Sequence, residues 1–243
     1  MNENEIYDIF CKIYNKTDSE LNDLDYKKAI QSDYRTYCLY YVSLIRTNHL
    51  LFFSFWPRFD YNSRILKIFL FFFNFAVSFS VNSLFFNDET MHQIYEEKGA
   101  FNFIYNLPQI LYSSLISGFI NGAITVLATI DSNIIELKEK SNKKNVHIMK
   151  KNLLSKIKIK IVFFFIISLI FLSAFWIYLA CFCYVYKNTQ IHLITDTFFS
   201  FGTSMISPFI VSILPGLFRI SALQAKKKDR GCMFKLSKAL QLL

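Results

Sequence analysis

The chain has 243 residues and a formal charge of +9, and 53% of it is hydrophobic, including 28 Phe. The apolar residues gather in four blocks with the charges confined between them, which excludes an ordinary soluble domain. The Lys and Arg residues beside those blocks read as topology determinants and lipid-headgroup contacts, not as a nucleic-acid surface.

Residues 1–64 read as a cytosolic helical region. The start is acidic and lacks an early apolar core, so no cleavable signal peptide is expected, and the first span would act as an internal signal-anchor. Thr17 with Glu20 three positions later fits a capping box. Tyr26, Ile30, Tyr34, Tyr37, Tyr41 and Leu44 then recur at three- and four-residue steps, the stripe of an amphipathic helix. Segment 47–60 is aromatic but carries His49, Pro57, Arg58 and Asp60, which suits an interfacial stretch. A spanning or re-entrant course for 37–56 stays open.

The first span is expected over 65–86. Lys67, close to its start, can snorkel to the interface. Asn74, Ser78 and Asn82 lie four apart, a polar line that should face other helices, because a lipid-facing amide leaves its groups unpaired. After a short acidic turn comes the second span, 107–130, within a run of thirty uncharged residues from Phe101 to Ile130. Ser114, Gly118 and Gly122 make a small-residue face suited to close helix packing, internal in preference to homodimeric. Ser113, Ser117 and Asn121 form a second polar stripe beside it.

Asp131 to Lys160 reads as the longest inner connection, with nine Lys against Asp131, Glu136 and Glu139. The third span, 161–186, ends in Trp176, Tyr178, Tyr184 and Tyr186, an aromatic belt. The fourth, 197–218, carries a ridge of Ser200, Ser204, Pro208, Ser212 and Gly216, is closed by Arg219, and precedes a basic tail over 219–243. The fold class is therefore all-α: a polytopic membrane protein with four helices over 65–218. The basic segments fall on one side of such a bundle, so both termini are expected in the cytosol.

No ionisable residue falls within 101–130, 161–186 or 197–218, which argues against proton-coupled transport and intramembrane hydrolysis. His49, His92, His147 and His192 are scattered, so no helix-borne metal pair is expected. Neither enzyme activity nor a cofactor is expected. Asp196, at the start of the fourth span, reads as a helix N-terminal carboxylate or as an outer-mouth carboxylate that concentrates cations. Cys11, Cys38 and Cys232 are expected as reduced cytosolic thiols, and Cys181 and Cys183 as reduced membrane thiols. Cys232, among Lys and Arg beyond a span, is a candidate for reversible acylation.

Tyr105 to Ser117, Val81 to Asp88 and Tyr184 to Pro208 resemble a multi-pass region that recurs in large protist surface proteins, with similarity running from Leu21 to the C-terminus. The Val-Tyr-Lys-Asn-Thr-Gln run at 185–190 is distantly similar to polycystin-type membrane regions, though no recognisable pore helix or filter follows it. The protist resemblance implies membrane anchorage and supplies no catalytic residues. Three functions are compatible with these observations. One is an anchor or assembly module of a surface complex, a second is a channel-like subunit with a polar path between helices, and a third is a lipid-modifying membrane enzyme. The expected partners are the bilayer, anionic headgroups at its cytosolic face, and other membrane helices or subunits, with no nucleic acid.

Overall fold

The structure is a computed structural model that describes residues 17–56, 60–96, 102–140, 146–224 and 230–241. Among these, every regular element is a helix. In chain order they are α1 (Asp18–Asn22), α2 (Tyr26–Ser32), α3 (Tyr37–Asn48), α4 (Leu50–Phe55), α5 (Arg64–Ser83) and α6 (Asp88–Glu96). There follow α7 (Phe103–Ala128), α8 (Asp131–Lys140), α9 (Val146–Val185), α10 (Gln190–Val211), α11 (Ile213–Gln224) and α12 (Gly231–Gln241). Among the described residues, four helical stretches are long and apolar enough to cross a membrane: Arg64–Ser83, Phe103–Ala128, Lys150–Val185 and Gln190–Gln224. The chain divides into two compact units, Met1–Tyr61 with Ile206–Leu243, and Asn62–Met205.

The first unit starts with the expected capping box. Glu20 N–H donates to Thr17 Oγ1 at 3.2 Å, and Thr17 N–H donates to Glu20 Oε2 at 2.8 Å. The continuous amphipathic stripe is not found. Asp33 leaves the helical conformation and ends α2, so Ile30 and Tyr34 face outward, while α3 buries Tyr40, Ser43, Leu44 and Ile45 instead. The reason is electrostatic. Asp33 turns inward to accept from Arg35 Nε at 2.8 Å and from Arg219 Nη2 at 2.9 Å. Arg219 also donates to the carbonyls of Leu21 at 2.7 Å and Asn22 at 3.2 Å, closing the end of α1. The Tyr40 ring lies 5.0 Å from the Arg35 guanidinium and 4.9 Å from that of Arg219.

The 47–60 segment is not one interfacial helix in its described part. His49 breaks the backbone between α3 and α4 and is buried, with its ring 4.7 Å from that of Phe209. Pro57 and Arg58 lie outside the described residues. The basic tail is helical in part. In α12, Phe234 packs with Ala29 and Ala222, and Ser237 Oγ donates to Pro215 O at 2.7 Å. Gly216 is needed where it stands, because a Cβ there would sit 2.8 Å from the Tyr37 ring.

In the second unit, α5 packs on α7 and α9. Its Phe residues reach α9 and α10: Phe69 lies against Phe164 at 5.5 Å, and Phe75 against Phe201 at 5.3 Å. Lys67 does not snorkel outward. It is 4% exposed. The described part of the connection from Asp131 to Lys160 is helical too. It forms α8 and the start of α9, which begins at Val146 and not at 161, since Lys and Leu sustain a helix and neither Pro nor Gly interrupts it. Asn62 fastens the α7–α8 junction, donating to Asp131 Oδ2 and accepting from Ile130 N–H, each at 2.8 Å. Lys160 Nζ reaches the Thr129 carbonyl at the end of α7, at 2.6 Å.

Candidate functional site

The polar residues of the second unit converge where α5, α7 and α10 meet. Asn74, Ser78 and Asn82 repeat every four residues on α5, so their side chains share one face. All three are buried, as expected for amides and hydroxyls that bilayer lipid cannot satisfy. Asn82 Nδ2 donates to Thr197 Oγ1 at 3.4 Å, and Thr197 Oγ1 donates to the Leu193 carbonyl at 2.7 Å. One turn along α10, the Ser200 and Ser113 hydroxyls lie 2.8 Å apart. Ser117 is buried as well and bonds back to the Ser113 carbonyl. Among the described residues, three amide oxygens, Asn74 Oδ1, Asn82 Oδ1 and Asn121 Oδ1, are buried without a hydrogen-bond partner.

Asp196 is the ionisable member of this layer. The fourth span begins earlier than expected, at Gln190, so Asp196 is neither an N-terminal cap nor an exposed mouth residue. It stands about 9 Å along α10, in its second turn, and is 1% exposed. Asn106 Nδ2 donates to its Oδ1 at 3.4 Å and Gln109 Nε2 to its Oδ2 at 3.2 Å. The spacing from 106 to 109 puts both amides on one face of α7, which is why one helix can hold both carboxylate oxygens. Among the described residues Asp196 forms no ion pair. The candidate span Gln190–Gln224 thus contains both Asp196 and Arg219, which corrects the expectation of a fourth span without charge.

No protein-family model, curated protein or solved structure matches the chain. Its function is therefore read from its own geometry.

The helix-packing residues separate into two sets. Ser200 and Gly216 are at contacts, while Ser204 Oγ donates to the Phe201 carbonyl of its own helix at 2.7 Å. Among the described residues, Gly118 and Gly122 are not at a packing contact, and the half-buried Ser114 shows no hydrogen bond to another helix. No described atom beyond the local helix lies within 4 Å of a Cβ built at either glycine, and the Ser114 hydroxyl bonds back to the Leu111 carbonyl. Internal packing through the glycine face is thus not found, because α7 buries its Ser113–Ser117 side. Phe119, 82% exposed, and Leu115 flank the open face.

Cys38, Cys181 and Cys232 are exposed free thiols and Cys183 is half-buried, while Cys11 lies outside the described residues. Among the described residues no group of three His, Cys, Asp or Glu side chains could hold a metal ion. The two features that sequence reasoning underweighted are the Asn106–Gln109 clasp and the depth of Asp196. The three-residue spacing of the two amides was the available signal.

Proposed function

We propose that the chain is an integral-membrane assembly module: a four-helix unit that holds a surface complex together through a partner subunit's helix and has no catalytic role. The observation that carries this reading is the open Gly118–Gly122 face on a helix whose serine side is already satisfied. Helices in lipid gain no hydrophobic advantage from associating, so close van der Waals contact must supply the attraction, and a groove without side chains provides it. The channel-like reading is less favoured, because Asn74, Asn82 and Ser200 are buried and do not face water.

Replacing Gly118 and Gly122 together by Leu should reduce the size of the complex extracted from native membranes in mild detergent, while the isolated chain melts unchanged. Changing Phe163 and Ile170, both exposed, to Leu should leave the complex intact. An unaltered complex in the glycine variant would remove the proposal.

The orientation we propose places both termini and the basic segments in the cytosol, with anionic headgroups against them. The sequon Asn15-Lys16-Thr17 should then stay unmodified in cells that glycosylate lumenal asparagines. A glycan on Asn15 would invert the topology. Acylation of Cys232 belongs to the same proposal, since an exposed thiol among basic residues near a span is placed to receive an acyl chain.

A further inference from the structure

We propose that Asp196 is the centre of an occluded binding site for one monovalent alkali cation, with Asn106, Gln109 and Asn82 supplying the neutral oxygens. This goes beyond the assembly reading and does not depend on it. A carboxylate placed inside a spanning helix is costly unless its charge is matched, and among the described residues Asp196 has no cationic partner. Its contacts are two neutral amides, which ease the charge without cancelling it.

The charge selects the ligand. One buried carboxylate is neutralised by one positive charge, whereas a divalent ion would leave an uncompensated charge in a low-dielectric setting. The donors fit the same class, since alkali ions take oxygen ligands and the cluster holds no thiol or imidazole among the contacts described. Asn106 and Gln109 now present N–H groups to the carboxylate. A half-turn about the terminal torsion of either amide exchanges N–H for oxygen, and that torsion is soft. The cation would thus replace two donated hydrogen bonds with two coordinating oxygens.

The second observation is independent of Asp196. Asn82 is 0% exposed and its Oδ1 has no partner, an orphan acceptor that folding normally avoids. Its Nδ2 donates to Thr197 Oγ1, on the residue next to Asp196 along α10, which brings Asn82 beside the turn that carries the carboxylate. Asn106 and Gln109 are only half-buried, and they form the side from which an ion can enter.

The test uses the full chain in detergent. Thermal unfolding is followed as sodium or potassium chloride replaces choline chloride at constant total salt. A ligand that binds only the folded state raises the melting temperature with a dependence set by its affinity. The expected result is a rise specific to one alkali ion and absent with choline. Asp196→Asn, a neutral isostere that retains both amide neighbours, should melt at or above the ion-free wild type and lose the ion dependence. Should that variant fail to fold, wild-type protein retaining radioactive sodium or rubidium, displaced by excess of the same unlabelled ion, supports the site without it. Retention should weaken in Asn82→Ala, and unchanged retention there would exclude Asn82. Wild-type melting indifferent to ion identity, with no retained ion, would overturn the proposal and leave Asp196 a protonated packing residue.

Discussion

Asp33→Ala is expected to unfold the first unit more readily than any other single truncation there, costing about 3–5 kcal/mol, the range for removing one partner of a buried ion pair. The Asp33 carboxylate is 1% exposed and lies between two guanidinium groups, whose side chains are 10% exposed for Arg35 and 1% for Arg219. Its removal leaves two buried cations without a counter-charge. Arg219→Ala should cost less, since Asp33 keeps both bonds to Arg35, at 2.8 and 2.9 Å. Arg219→Lys should not restore the wild type, because an ammonium cannot reach Asp33 and the Leu21 and Asn22 carbonyls as the planar fork does. Chemical unfolding monitored by exchange of α3 and α12 amides would rank the three variants. Equal losses for Asp33→Ala and Arg219→Ala would show that the carboxylate is not the hub.

The same cluster sets an acid limit. Burial pushes the Asp33 carboxyl up, but the hydrogen bonds and charge of Arg35, joined by Arg219, outweigh it and hold the group below the usual carboxylate value. A carboxyl depressed in the folded state contributes stability that is complete above its unfolded value, about 3.9. That contribution disappears as pH falls through the lower folded value. The first unit should therefore lose stability only in acid, and Arg219→Ala should move the loss toward higher pH.

The contrast between the two units explains what was legible in the residues. Runs without charge reveal spans because hydrocarbon excludes charge wherever the helix sits, so the four stretches are visible without any tertiary knowledge. The Thr17–Glu20 box is equally local. Asp33 and Arg219 are 186 positions apart, and nothing in the neighbourhood of either names the other. The early start of the fourth span was missed because Gln190, His192, Thr195 and Asp196 look like a turn until Asn106 and Gln109 on α7 are known to hold Asp196. On α7 itself two four-residue stripes competed. Glycine costs nothing on either side of a helix, whereas a hydroxyl facing lipid must find an acceptor, so the serine stripe had the stronger claim on the interior.

Ser113→Leu should destabilise the second unit strongly, whereas Gly118→Leu, five residues along the same helix, should leave the isolated chain close to wild type. Ser113 is fully buried with its hydroxyl 2.8 Å from that of Ser200, so a larger side chain must push α7 away from α10. Overpacking of this kind costs about 1–3 kcal/mol. The lost hydrogen bond adds less, since such bonds between membrane helices average about 0.6 kcal/mol. Ser113→Ala separates the two contributions, because it removes the hydroxyl without adding volume, and should cost only the smaller amount. Around Gly118 no described atom beyond its own stretch of helix lies within 4 Å of the added Cβ, so Leu projects away from the packed side. Thermal unfolding of the three variants in detergent decides the matter. If Gly118→Leu melts as low as Ser113→Leu, the glycine face packs within the chain, and its availability to a partner helix is lost.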